Sequence, residues 1–131
     1  MKKLLIIFFL MTFGLQANAQ YNRNYIYYMS QNSIINKQYY EAISLLTILI
    51  DADSLSRDGY FLRAIAKYNL NDLIGAEQDF SSAIRINPVY VEAYQYRAIT
   101  RSIMGNWDDA INDFKKALSI RPDYISTYYS R

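Results

Sequence analysis

Apolar residues along this chain return at steps of three and four. Leu73, Ala76, Phe80, Ala83 and Ile84 form one such run, and Trp107, Ala110, Ile111, Phe114, Ala117 and Leu118 form another. This spacing gathers each set on one face of a helix. Alternation at every second residue, the mark of a half-buried strand, is missing, so the pattern predicts an all-α protein. Two kinds of break interrupt the runs. "NLND" and "MGNW" put Asn and Gly where one helix ends. Asn87-Pro88 and Arg121-Pro122 stop the next, because a residue preceding proline is pushed out of the helical region. The segments between breaks run to roughly 12 to 14 residues, a usual helix length, and tight turns make neighbouring helices antiparallel.

The runs also recur. A step of 34 residues carries Ala42 to Ala76 and Ala110, Leu46 to Phe80 and Phe114, Leu49 to Ala83 and Ala117, and Ile50 to Ile84 and Leu118. Ser54 leads to Pro88 and Pro122, and Tyr60 to Tyr94 and Tyr128, with no insertion anywhere. Columns in phase define a repeat, and a helix pair that recurs at this period stacks into an α-solenoid. The units expected are about 24–56, 57–90 and 91–124, followed at 125–131 by the start of a fourth helix pair. The first unit is the least regular, with Ser30 as its small residue, Leu49 where the others have Ala, and Ser54 in place of proline. In the other units, Ala64 and Ala98 let the two helices of a pair approach closely, and Phe80 and Phe114 fill the space beside them.

The stretches "YFLRAIAKYNLNDLIGAEQDFSSAIRINP" and "YQYRAITRSIMGNWDDAINDFKKALSIRP" resemble the tetratricopeptide repeat family in period and in the order aromatic, small residue, Ala, Phe, Pro. The resemblance runs from about Asn24 to Arg131 and is a statement about fold before it is one about function. It implies a concave surface lined by the first helix of every unit, commonly holding a peptide segment of another protein. On this sequence the lining columns are Tyr27, Phe61 and Gln95; Gln31, Ile65 and Ile99; and Ile34, Tyr68 and Ser102. Family members that clamp a terminal carboxylate use lysine and asparagine, whereas the matching positions here include Tyr27, Gln31, Leu62 and Glu92. That clamp is therefore not expected.

Residues 1–19 belong to a different kind of segment. "MKK", an apolar run from Leu4 to Leu15 and small residues at Ala17 and Ala19 make a secretory signal, with cleavage expected before Gln20 and residues 20–131 left as the repeat domain. The run is shorter than the about 20 apolar residues of a membrane span. With no cysteine to carry a lipid, the mature form is expected to lack a stable membrane anchor and to be periplasmic or secreted. Two of the fourteen basic residues leave with the signal, and the remaining twelve balance twelve acidic ones. A neutral mature chain gives no basic surface for nucleic acid.

Catalytic chemistry has little to work with. No His or Cys is present, so no Ser-His-Asp arrangement, thiolate nucleophile or conventional zinc site can be assembled. Asp108, Asp109 and Asp113 cluster near the start of a helix, where the first two favour the helix dipole without any metal or acid/base role. The four glycines form no phosphate loop, and no cofactor is expected. Most of the fourteen tyrosines are expected as amphipathic core filler.

Where the family pattern has leucine and tyrosine, this chain has Arg63 and Lys67, then Arg97 and Arg101. A charge at a helix interface needs a partner, and the second helices offer Asp79 and Asp113, whereas the first unit holds Met29 and Leu45. Both members change together, which predicts structural pairs Arg63–Asp79 and Arg97–Asp113. The function expected is a non-catalytic, exported scaffold that binds a protein or peptide in the groove of Tyr27, Gln31, Ile34, Phe61, Ile65, Tyr68, Gln95 and Ile99. The alternatives are a glycan or small-ligand module using Tyr and Gln faces, or an accessory region of a longer enzyme. The last residues, "DYISTYYSR", open a first helix without a second, which predicts either a longer array or a partner at the C-terminal face, self-association included.

Overall fold

The computed structural model describes residues 1–123. Six α-helices follow one another, and no strand occurs among the described residues. They are α1 (Lys2–Ile35), α2 (Tyr39–Ala52), α3 (Arg57–Asn69), α4 (Leu73–Ile86), α5 (Val91–Ile103) and α6 (Trp107–Ile120). Each packs on its neighbours in sequence, and α1 also touches α3. The helix starts of α2, α4 and α6, at 39, 73 and 107, keep the period of 34. Tyr124 and the start of the fourth unit, with Tyr128 and Tyr129, lie outside the described residues.

The turn inside each pair has one geometry built three times. Lys37, Asn71 and Gly105, one period apart, hold φ of 61°, 64° and 84°. The next amide bonds back to the carbonyl five residues earlier: Gln38 to Ser33, Asp72 to Lys67, and Asn106 to Arg101, at 2.8 to 2.9 Å. A left-handed residue followed by such a bond is the Schellman end of a helix. Gly105 adopts it freely, whereas Lys37 and Asn71 carry a Cβ into the left-handed region. Between pairs the chain leaves α2, α4 and α6 through extended residues Asp53, Asn87 and Arg121. Ser56 then caps α3 through its hydroxyl, which accepts from the Gly59 amide at 3.1 Å.

The core follows the repeat columns. Ala42, Leu46 and Leu49 pack with Ala66; Ala64, Ala76 and Phe80 form a second cluster; Ala83, Ile84, Val91, Ala93, Tyr94 and Ala117 form a third. Small residues thus mark the close helix crossings, as their columns predict.

At the N-terminus the structure is more continuous than the sequence pattern. Residues 1–19 form no separate element, because α1 runs unbroken from Lys2 to Ile35 and joins the apolar segment to the first helix of the first pair. Between Phe13 and Tyr21 only Gly14 and Asn18 are weak helix formers, and no proline interrupts the run. The apolar side chains of this segment are exposed, and α1 is long and apolar enough by composition to cross a membrane, a property it shares with signal sequences.

Candidate functional site

The first helices of successive pairs, α1, α3 and α5, form one surface. Ring contacts join α3 to α5: Phe61 meets Tyr96 edge-on at 5.9 Å, and Phe61 stacks on Tyr90, just before α5, at 5.0 Å. Phe61 and Tyr96 both reach Phe80 of α4, at 5.7 and 6.0 Å. Aromatic rings in such offset and edge contacts hold their neighbours in register beyond simple burial.

Every residue expected to line the groove sits on these helices with some exposure. Tyr27, Ile34, Phe61, Ile65, Tyr68, Gln95 and Ile99 are half-buried, and Gln31 is exposed. The structure divides them by role. Phe61, Ile65 and Tyr68 pack against the Phe80 cluster, while Tyr27 and Ile34 pack against the Leu46 cluster. Gln31 and Ile34 line a pocket of 390 Å³ between α1 and α3, together with Tyr28, Asn32, Ile35 and Leu62. Tyr28, Asn32 and Ile35 were not among the expected lining residues; they stand one position beyond the columns read from the repeat.

A second, polar corner lies at the start of α3. The Tyr90 hydroxyl donates to Asp58 Oδ1 at 3.2 Å. Burial, and then the charge of Asp58 and this hydrogen bond, push the Tyr90 phenol well above its ordinary value. Tyr27 is raised in the same direction, by burial first and by Asp58 second. A smaller pocket of 210 Å³ opens here among Gln20, Asn24, Tyr27, Asp53 and Asp58.

The arginines are held by carboxylates. Arg63 grips Asp79 with two bonds, Nε to Oδ2 at 2.7 Å and Nη2 to Oδ1 at 2.9 Å, and its Nη1 donates to Thr47 at 3.2 Å. Arg97 repeats this on Asp113 at 2.8 and 2.7 Å, with Ser81 at 3.0 Å in the place of Thr47. Lys67 pairs with Asp79, and Arg101 bridges Asp113 and Glu77. Each guanidinium also lies over a tyrosine of its own helix, Arg63 on Tyr60 and Arg97 on Tyr94, both at 5.6 Å. Both expected pairs are present, and the hydroxyls show what the sequence did not: each arginine ties its own pair to the pair before it. No buried side-chain nitrogen or oxygen among the described residues lacks a partner.

Comparison with known proteins agrees with this architecture. Residues 91–124 match the family model described as Tetratricopeptide repeat. No curated protein sequence matches. Among solved structures, MamA is 25% identical with a TM-score of 0.78, the match covering 82% of this chain and 63% of that one. This chain therefore spans less than two thirds of MamA. The Arabidopsis OM64 TPR domain is 26% identical, with 80% of this chain and 87% of that one covered and a TM-score of 0.77. The first TPR of Spaghetti (RPAP3), bound to the HSP90 peptide SRMEEVD, is 24% identical, with 83% and 86% covered and a TM-score of 0.78.

Proposed function

We propose that this chain, a stack of tetratricopeptide-repeat helix pairs, is a non-catalytic scaffold that holds a segment of another protein against α1, α3 and α5. The observation that carries this reading is the pocket between α1 and α3, set in a row of half-buried apolar and aromatic side chains. Such a surface gains affinity by covering apolar area, and Gln31 and Gln95 supply amides for the backbone of an extended or helical segment. A structure of the same fold holding a peptide supports the reading. The bound segment is not one read by its terminal carboxylate. The lining columns contain no Lys or Arg to receive such a group, because Arg63, Lys67, Arg97 and Arg101 are committed to Asp79, Asp113 and Glu77.

We also propose that the scaffold works outside the cytoplasm, supported by the basic start, the apolar run and the small residues at Ala17 and Ala19. A photoreactive residue placed at Gln31 or Ile99 in the source cells tests the groove. Crosslinks to a distinct protein from these positions, and none from the exposed Ile74 of α4, are expected. Equal crosslinking from Ile74 contradicts the assignment.

A further inference from the structure

Among the described residues, α2 and α4 each lie between two neighbouring helices, whereas the main contact of α6 is with α5. Ile84 of α4 is 9% exposed, but Leu118, one period on, is 39% exposed. Ile111 at 49% and Trp107 at 64% extend the same row toward the start of α6. Steps of four and seven place these three side chains on one helical face.

The charges of α6 are segregated along its length. Asp108 in the first turn and Lys115 two turns later stand on one flank of that row, whereas Asp109 and Lys116 stand on the side of the helix away from it. Lys115 also breaks the junction rule of the solenoid. Its column holds Thr47 and Ser81, the hydroxyls that accept from Arg63 and Arg97 of the following pair.

We propose that this face is an interface between two copies of the chain, with the two α6 helices antiparallel across a twofold axis. Asp108 of one copy, on the flank of that row, then lies against Lys115 of the other, twice over, while Trp107, Ile111 and Leu118 are covered by the same row reversed. A parallel pairing would set acid beside acid and lysine beside lysine. The twofold contact closes on itself and yields a dimer rather than a fibre. The 14 residues of α6 make a helix about 21 Å long. A contact one helix wide falls short of the about 800 Å² per partner of a standard interface, so the dimer is expected to be reversible at micromolar concentration. The proposal does not depend on the groove.

Sedimentation velocity of the purified exported protein over a concentration series tests it. The average mass is expected to rise toward that of a dimer, and Ile111→Asp is expected to hold the protein monomeric with its helical circular dichroism unchanged. The decisive arm uses two charge variants, Asp108→Lys and Lys115→Glu. Each alone is expected to stay monomeric, and an equal mixture is expected to recover dimer. A wild-type protein that stays monomeric overturns the proposal and leaves the face to another occupant, the chain's own last residues among them. Variants that dimerise unaided, or a mixture that fails to associate, overturn it as well.

Discussion

Arg97 donates through Nε and Nη2 to both carboxylate oxygens of Asp113, at 2.8 and 2.7 Å, in a corner where Asp113 is 4% exposed. The two planar groups match as a fork, the strongest form of this interaction, and the aspartate also accepts from Arg101 at 2.9 Å. Removing one partner strands a buried charge, which costs about 3 to 5 kcal/mol in comparable pairs. Arg97→Leu is expected near the lower end, because Arg101 still reaches Asp113. Adding Asp113→Leu restores the apolar pairing that the first unit has at Met29 and Leu45, and recovers part of the loss. Denaturant unfolding of the four proteins in the cycle is expected to give a coupling above about 1 kcal/mol. Additive losses would mean that the fork contributes nothing of its own.

Lys37 holds φ of 61° where Gly105 holds 84° in the same turn of the third pair. The left-handed region costs a side-chain-bearing residue roughly 1 to 2 kcal/mol, and glycine's extra freedom in the unfolded chain offsets part of the gain from relieving it. Lys37→Gly is therefore expected to stabilise by about 0.5 to 1 kcal/mol, and Gly105→Ala to destabilise by about 1 kcal/mol. Unfolding midpoints check both. A destabilising Lys37→Gly would show that the lysine side chain makes a compensating contact.

The Tyr90 phenol, raised by burial and by Asp58, binds its proton more tightly folded than unfolded. Its contribution to stability is thus fully present below the unfolded value of about 10 and is lost as pH rises through the folded one. Phenolate absorbance is expected to show a tyrosine that ionises later than the exposed ones and disappears in Tyr90→Phe. Asp58→Asn removes the charge and is expected to bring that ionisation earlier, though burial keeps it late. An unchanged titration in Asp58→Asn would mean that burial alone sets the shift.

What could be read from the chain before its structure follows the repeat itself. The helix pairs, the small-residue crossings and the Arg–Asp pairs were legible because each is a column, and a column that departs in step with another reveals its partner. Thr47, Ser81 and Glu77 were not legible as partners, since they join one unit to the next and no spacing within a unit points to them. The turn at Lys37 was hidden because neither Gly nor Asn occupies it. The segment expected as a leader, set apart at residue 19 by composition, is continuous with α1, and no proline separates it from the first pair. Of the residues that the columns assign to the groove, Phe61 is shared with the core through its contacts to Phe80 and Tyr90, and Ile34 packs on the Leu46 cluster, so both are weak probes of binding, whereas Gln31 borders open space.

Whether the face of α1, α3 and α5 receives a segment of another protein is decided by amide chemical-shift mapping of the purified protein with a peptide selected against it from a random library. Shifts are expected to follow Gln31, Ile34, Ile65, Gln95 and Ile99, and to be lost on Gln31→Ala combined with Ile35→Ala, at an exposed residue of the pocket, while the fold is kept. Shifts confined to α2 and α4, around the exposed Ile48 and Ile74, would contradict the reading.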